Sequence, residues 1–137
     1  MSIGEVLLEK GLITAEHLAK AMDMRRRTGQ RLDRALIELG CVTEQQLLEV
    51  ISEQYGIPMV DLSDVQIDVE TLRSLPPKLV YRRGLVPLEK QNGTLRVATS
   101  DPFDLYSFDE VRMLTGLEIQ PVLAPSEDIQ NVIKTYY

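Results

Sequence analysis

Residues 2–25 read SIGEVLLEKGLITAEHLAKAMDMR, and residues 31–54 read RLDRALIELGCVTEQQLLEVISEQ. An offset of 29 residues lays Leu36 on Leu7, Glu38 on Glu9, Gly40 on Gly11, Thr43 on Thr14 and Leu47 on Leu18. At the same offset Ile3/Leu32, Leu8/Ile37, Ile13/Val42 and Met22/Ile51 keep apolar character. Self-similarity of this kind marks a repeated supersecondary unit.

Each copy spells a short helix, a tight turn and a longer helix. In the first copy Ile3, Leu7 and Leu8 share a helical face. Gly11 falls where a left-handed C-terminal cap is needed, because glycine takes positive φ without a Cβ clash. Thr14 is placed to cap the second helix, whose face carries Leu18, Ala21, Met22 and Arg25. The second copy repeats this grammar through Leu32, Leu36, Ile37, Gly40 and Thr43, and Gln46 completes a capping box with Thr43. Met22 and Met24 read as core fillers. Cys41, in the slot of Leu12, reads as a small core hydrophobe, and His17 as a polar first-turn residue. Neither hairpin can bury its apolar face alone, so a four-helix unit is expected.

The helical pattern stops at Tyr55-Gly56-Ile57-Pro58, which sets a boundary between residues 1–57 and 58–137. Met59 to Leu62 is a short extended run. Asp68 is placed to cap a helix carrying Val69, Leu72 and Leu75, which ends at Pro76-Pro77, and Pro77 starts another turn through Arg83. Leu85–Gln91 and Thr94–Thr99 flank Asn92-Gly93, a hairpin signal because both turn positions need positive φ. Ser100-Asp101-Pro102 opens a helix through Val111 and Leu114, ended by Gly116. Glu118–Leu123 reads as a third strand, and Pro125-Ser126 opens a last helix with Ile129, Val132 and Ile133 inward. Asp109/Glu110 and Glu127/Asp128 fall in first helical turns, where acids favour the dipole. The expected fold is α+β: a four-helix repeat, then a small mixed α/β subdomain with about three strands.

The 137 residues carry a formal net charge of -6, which disfavours nonspecific nucleic-acid binding. Arg25, Arg26, Arg27, Arg31 and Arg34 nevertheless fall within ten residues, opposed in that stretch only by Asp33. They read either as a solvated helix end or as a small anion site. No apolar run approaches the roughly 18 residues of a membrane span, and the N-terminal stretch lacks the pattern of a secretory signal. A lone Cys41 allows no internal disulfide and fits a reducing cytosol. No Gly-x-x-x-x-Gly-Lys-Ser/Thr or Gly-x-Gly-x-x-Gly run occurs, so no phosphate cradle for a nucleoside triphosphate is expected. One histidine and one cysteine, far apart, offer no zinc ligand set. Neither catalytic nor metal-binding residues are expected.

The two 24-residue copies, five residues apart, resemble the tandem motif of the N-terminal domain of type II secretion and type IV pilus assembly ATPases. YGIPMVDL, VPLEKQNGTLRVATSDPFD and TGLEIQPVLAPSEDIQNVIKTYY are similar to the same family, so the resemblance covers essentially the whole chain. It implies a non-catalytic regulatory and docking domain in the cytoplasm, at the inner face of the bacterial inner membrane. Its implied partners are the cytoplasmic domain of an inner-membrane protein and the ATPase domain of its own chain, with no direct membrane insertion. ATP and Mg would belong to that ATPase domain alone.

One branch of the family binds cyclic di-GMP on the tandem motif. The resemblance implies ligand contacts from Gly4, Leu7, Leu8, Gly11 and Arg25 of the first copy. From the second it implies Arg31, Leu32, Leu36, Ile37, Gly40, Leu47 and Gln54. Ile13 and Leu18 are also retained. A guanidinium pairs with phosphate and stacks on guanine, and glycine lets a phosphate approach the backbone. Three positions depart from the motif: Ser2 stands for an arginine, Arg25 for a glutamine, and Asp33 for a glycine. At about 1–3 kcal/mol per lost polar contact, these weaken binding by very roughly 10²- to 10⁶-fold.

Overall fold

Four helices build the repeat in a computed structural model that describes residues 2–137. They are α1 (Ile3–Glu9), α2 (Ala15–Thr28), α3 (Leu32–Glu38) and α4 (Glu44–Tyr55). The chain divides into a unit ending at Gly56 and a second running Ile57–Tyr137.

The two hairpin turns of the helical unit are built alike. In the first, the Leu12 N–H donates to the Leu7 carbonyl and the Gly11 N–H to that of Leu8, both at 3.0 Å. In the second, Cys41 N–H donates to Leu36 and Gly40 N–H to Ile37, again at 3.0 Å. With Gly11 at φ 74° and Gly40 at φ 76°, both are Schellman closures. Both following helices open on a capping box. Thr43 pairs with Gln46 as expected, while in the first copy His17 Nδ1 accepts the Thr14 N–H at 3.2 Å. His17 is therefore half-buried and works as an acceptor at the helix start.

Val6, Leu7, Ala35, Leu36, Leu47, Leu48, Val50 and Ile51 form the buried faces. Three sequence expectations are corrected here. Leu8 is 38% exposed and Met22 is 40% exposed, so neither fills the core. Cys41 is half-buried, as is Leu12. The inward neighbour of Leu7 is Val6, and Ala21 rather than Met22 faces inward on α2. Helical period fixes a stripe, but a seven-residue helix contacts its neighbours over a narrow part of it.

In the second unit, α5 (Val69–Leu72) and α6 (Pro77–Arg83) precede β1 (Val86–Gln91), β2 (Thr94–Thr99), α7 (Leu105–Thr115), β3 (Glu118–Leu123) and α8 (Ser126–Tyr136). The sheet order is β1-β2-β3, with β1/β2 antiparallel and β2/β3 parallel. Asn92 (φ 52°) and Gly93 (φ 79°) make the hairpin turn, and both positions are left-handed as type I′ requires. β2 lies between its neighbours and buries Leu95, Val97, Ala98 and Thr99. The outer edge of β3 is covered near its end. Leu123 N–H donates to the Pro58 carbonyl at 2.8 Å, and Val60 N–H donates to Leu123 at 2.9 Å. A bulge at Leu88 interrupts β1, and Glu89, Lys90 and Gln91 are exposed, which blunts further strand pairing there.

Element boundaries differ from expectation at two helices. α5 is a single turn, so Leu75 lies beyond it although buried, and Val69 points out at 53% exposure. α7 begins at Leu105 with Asp104 as its cap, not at Ser100–Pro102. The Asp101 carboxylate instead accepts the Phe103 N–H at 3.1 Å and closes a turn of its own. Asp109 and Glu110 consequently sit past the first turn, where they pair with Arg112 (2.7 Å) and with Arg82 and Arg83 (2.9 and 3.1 Å).

The end of α8 is stapled by two phenols. Tyr137 Oη donates to the Leu72 carbonyl at 2.8 Å, and Tyr81 Oη donates to the Tyr137 carbonyl at 3.2 Å. Burial disfavours the phenolate and pushes Tyr137 up to about 12 from 10.0. A folded value above the unfolded one means the folded state keeps its proton longer. The stabilisation is full below pH 10.0 and is lost as pH rises towards about 12. Tyrosinate absorbance should show one phenol ionising near pH 12, absent in Tyr137→Phe. That variant should also lose part of the alkaline fall in unfolding temperature. An unchanged titration curve would disprove the assignment.

Candidate functional site

The twelve residues marked by the tandem motif occupy three kinds of place. Leu7, Leu36 and Leu47 are fully buried, so their first role is to pack the helices together. Leu8 on α1 is partly exposed, while Leu32 and Ile37 on α3 are half-buried. Gly11 and Gly40 form the exposed turns, and a Cβ added at either would meet nothing within 4 Å. Arg25, in the last turn of α2, and Gln54, in the last turn of α4, are both exposed.

Gly4 behaves differently from the turn glycines. A Cβ there would lie 3.1 Å from Leu18 Cδ1 and 3.1 Å from Leu32 Cδ2. Gly4 thus lets α1 approach both α2 and α3, and joins the first copy to the opening of the second. Its role in this structure is helix packing.

The polar ends of the copies have diverged. Ser2 Oγ accepts the Glu5 N–H at 3.2 Å, so the residue standing for the motif arginine is a helix cap. Arg31, its counterpart, also occupies a cap position but makes no side-chain cap bond. Its Nη2 donates to Asp33 Oδ2 at 2.8 Å and its Nε to Asp33 Oδ1 at 3.2 Å. Asp33 Oδ1 also accepts the Arg34 N–H at 2.9 Å, and Asp33 is 8% exposed. Arg34 Nη1 in turn pairs with Glu44 Oε2 at 3.0 Å, both side chains being largely buried. Arg26 and Arg27 pair with Asp23 at 3.9 and 3.0 Å. Asp33 is therefore joined by Asp23 and Glu44 in pairing with arginines of this cluster. Asp23 and Glu44 went unnoticed because they lie outside the ten-residue stretch. A spacing search at helical i, i+3 and i, i+4 positions finds Asp23.

Among the described residues no group of three or more His, Cys, Asp and Glu side chains is arranged to hold a metal ion. No helix among them is long and apolar enough to cross a membrane. In the second unit a groove of about 570 Å³ is lined by Val69, Leu72, Arg73, Ser74, Leu75, Pro76, Pro77, Leu114, Tyr136 and Tyr137. Four large apolar side chains of α7 stand in solvent: Leu105 (67%), Tyr106 (73%), Met113 (85%) and Leu114 (59%). The inward residues of α7 are Ser107, Phe108 and Val111.

The packing role of Gly4 gives a direct test. Gly4→Val should destabilise the chain by about 1–3 kcal/mol, because two methyl groups enter a space already in contact with two leucines. Urea unfolding reads the loss. A midpoint equal to that of the parent chain would remove Gly4 from the helix contact.

The MshEN domain family matches residues 55–137. The type IV pilus assembly ATPase PilB of Myxococcus xanthus is 30% identical over 135 residues, which is 98% of this chain and 24% of the relative. Type II secretion system protein E of Xanthomonas campestris is 29% identical over 139 residues, again 98% of this chain and 24% of the relative. The chain thus spans about a quarter of the length of these relatives. Among solved structures, MshE with c-di-GMP superposes with a TM-score of 0.88 at 30% identity, covering 100% of this chain and 99% of that one. The N-terminal domain of XpsE gives 0.83 at 28% identity, covering 98% and 93%. In its α+β architecture, its three-stranded sheet and its sequence, this chain belongs to the MshEN domain family, and its relatives include type IV pilus assembly ATPases and type II secretion system protein E.

Proposed function

We propose that this chain is a non-catalytic regulatory and docking domain, which couples a secretion or pilus ATPase to the cytoplasmic segment of an inner-membrane protein. It works at the cytoplasmic face of the inner membrane, with the catalytic domain of the same ATPase as its second partner. The observation that carries this reading is the outer face of α7, where Leu105, Tyr106, Met113 and Leu114 remain exposed. Solvated apolar area of this density on one helix is a feature of protein contact surfaces. Tyrosine and methionine are also favoured at such surfaces. The surrounding charges are internally paired, as Arg82 and Arg83 with Glu110 and Arg112 with Asp109. An apolar partner surface therefore fits this face better than a charged one. Tyr106→Glu with Met113→Glu should weaken capture of the inner-membrane protein's cytoplasmic segment by at least about tenfold, with the melting temperature unchanged. Equal affinity for parent and variant would defeat docking through this face.

A second reading, cyclic di-GMP sensing by the tandem copies, is favoured by the overlap with MshE with c-di-GMP along the whole chain. The ligand contacts would come from Arg31, Gln54, the motif glycines and the half-exposed apolar side chains. As it stands the chain should bind cyclic di-GMP weakly or not at all at micromolar concentration. The triple variant Ser2→Arg, Arg25→Gln and Asp33→Gly should bind measurably more tightly by calorimetry. Loss of that gain on a further Arg31→Ala would place the phosphate contact. A triple variant with no heat of binding would end this reading.

A further inference from the structure

The two ion pairs at the start of the second copy are absent from the first for a specific reason. Positions 31, 33, 34 and 44 carry Arg31, Asp33, Arg34 and Glu44; their repeat equivalents are Ser2, Gly4, Glu5 and Ala15. These four second-copy residues make the Arg31–Asp33 and Arg34–Glu44 contacts, and none of their first-copy equivalents could reproduce either pair. In the first copy a Cβ at Gly4 would already press on two leucine methyl groups at 3.1 Å, so a carboxylate there would have to push both aside. At the equivalent point of the second copy, an aspartate is accommodated and 8% exposed.

The contact has the geometry of an anion site already filled. Nε and Nη2 form the side-on edge of a guanidinium, two parallel donors matched to two oxygens of a carboxylate or a phosphate. In Arg31 both reach Asp33, at 3.2 and 2.8 Å, and the Arg34 N–H adds a third donor to the same carboxylate at 2.9 Å. The Arg31 side chain remains 38% exposed whereas that of Asp33 is 9% exposed. The cation is therefore reachable, while its anion is held within the protein.

We propose that Asp33 is a built-in competitor of a phosphodiester ligand, occupying the edge of Arg31 that a phosphate oxygen pair would take and so setting the second copy's affinity for cyclic di-GMP. This deepens and rests on the cyclic di-GMP reading above. A carboxylate tethered two residues away competes at an effective concentration on the order of millimolar or more. A nucleotide present at micromolar concentration meets an Arg31 that is already satisfied. Asp33 thus acts on ligand selection through Arg31, without touching the ligand itself.

The experiment is a calorimetric titration of the full chain with cyclic di-GMP in two backgrounds, the parent chain and Ser2→Arg/Arg25→Gln, each with and without Asp33→Asn. Asparagine keeps the shape and still accepts the Arg34 N–H; Asp33→Gly replaces it if thermal unfolding shows the asparagine variant unfolded. Neutralising Asp33 should tighten binding by at least about tenfold in the Ser2→Arg/Arg25→Gln background. It should bring parent-background binding into the measurable range. A further Arg31→Ala should erase both gains. If Ser2→Arg/Arg25→Gln binds as tightly with Asp33 as without it, the competitor inference falls while the nucleotide reading stands. If the Asp33→Asn gain survives Arg31→Ala, general charge relief explains it, and the inference falls. If no variant binds, the nucleotide reading falls and takes the inference with it.

Discussion

Neither helical hairpin of the first unit can hide its own apolar face, and most of that unit's structure follows from this constraint. Helices of seven residues present too little surface to be stable alone; their stability comes from packing. The buried side chains Leu7, Leu36, Leu47, Leu48 and Ile51 come from both copies, so each hairpin supplies the other's missing half. Gly4 is where this becomes most demanding, because α1 must touch α2 and α3 at one point. The Schellman turns and capping boxes are the same in both copies because they set the angle at which helices leave each turn. Conserving these devices while changing the polar ends lets one scaffold carry two chemically different copies.

That difference is concentrated in charge. The first copy opens with a hydroxyl cap at Ser2, while the second opens with Arg31 held by Asp33. Four arginines of this unit have acid partners close by: Arg26 and Arg27 with Asp23, Arg31 with Asp33, and Arg34 with Glu44. Exposed pairs such as Arg27–Asp23 contribute only about 0–1 kcal/mol each, so stability is a poor explanation for placing them. Arg31–Asp33 and Arg34–Glu44 differ, since both acids are sheltered and removing one partner would strand a charge.

The parts of the fold that were legible in the sequence are those governed by local backbone rules. Asn92-Gly93 specified its turn because only positive φ closes a two-residue hairpin, and the order of elements from α5 to α8 followed from such punctuation. The helix, strand, strand, helix, strand, helix order ending the chain was readable for the same reason. What was misread depends on packing that periodicity does not encode. Leu8 and Met22 lie on apolar stripes yet are exposed. Ser100-Asp101-Pro102 looked like a helix start, but Asp101 spends its carboxylate on Phe103 and leaves capping to Asp104. At the candidate site, motif positions were readable, whereas the Arg31–Asp33 contact required side-chain geometry. Two residues of opposite charge and separation two do not face each other on a helix; they meet here because Arg31 sits in the extended cap position before it.

The second unit contains its own control for the meaning of exposed apolar surface. α7 and α8 are each 11 residues long, and both pack one face toward the sheet. The outward side of α8 carries Glu127, Gln130, Asn131 and Lys134, the ordinary solution for a solvated helix. α7 buries Ser107, Phe108 and Val111 in the same manner but turns Leu105, Tyr106, Met113 and Leu114 outward. Overall composition cannot account for the contrast, because both helices serve one sheet in one chain. Nor does fold stability, since the outward side chains add little to the core formed by Val97, Val111, Val122 and Ile129. This contrast supports the proposed docking contact, which would remove these groups from water. A partner that buried each of them would recover roughly 1.5–3 kcal/mol per large side chain before the costs of association, enough to make α7 the energetic centre of a docking face.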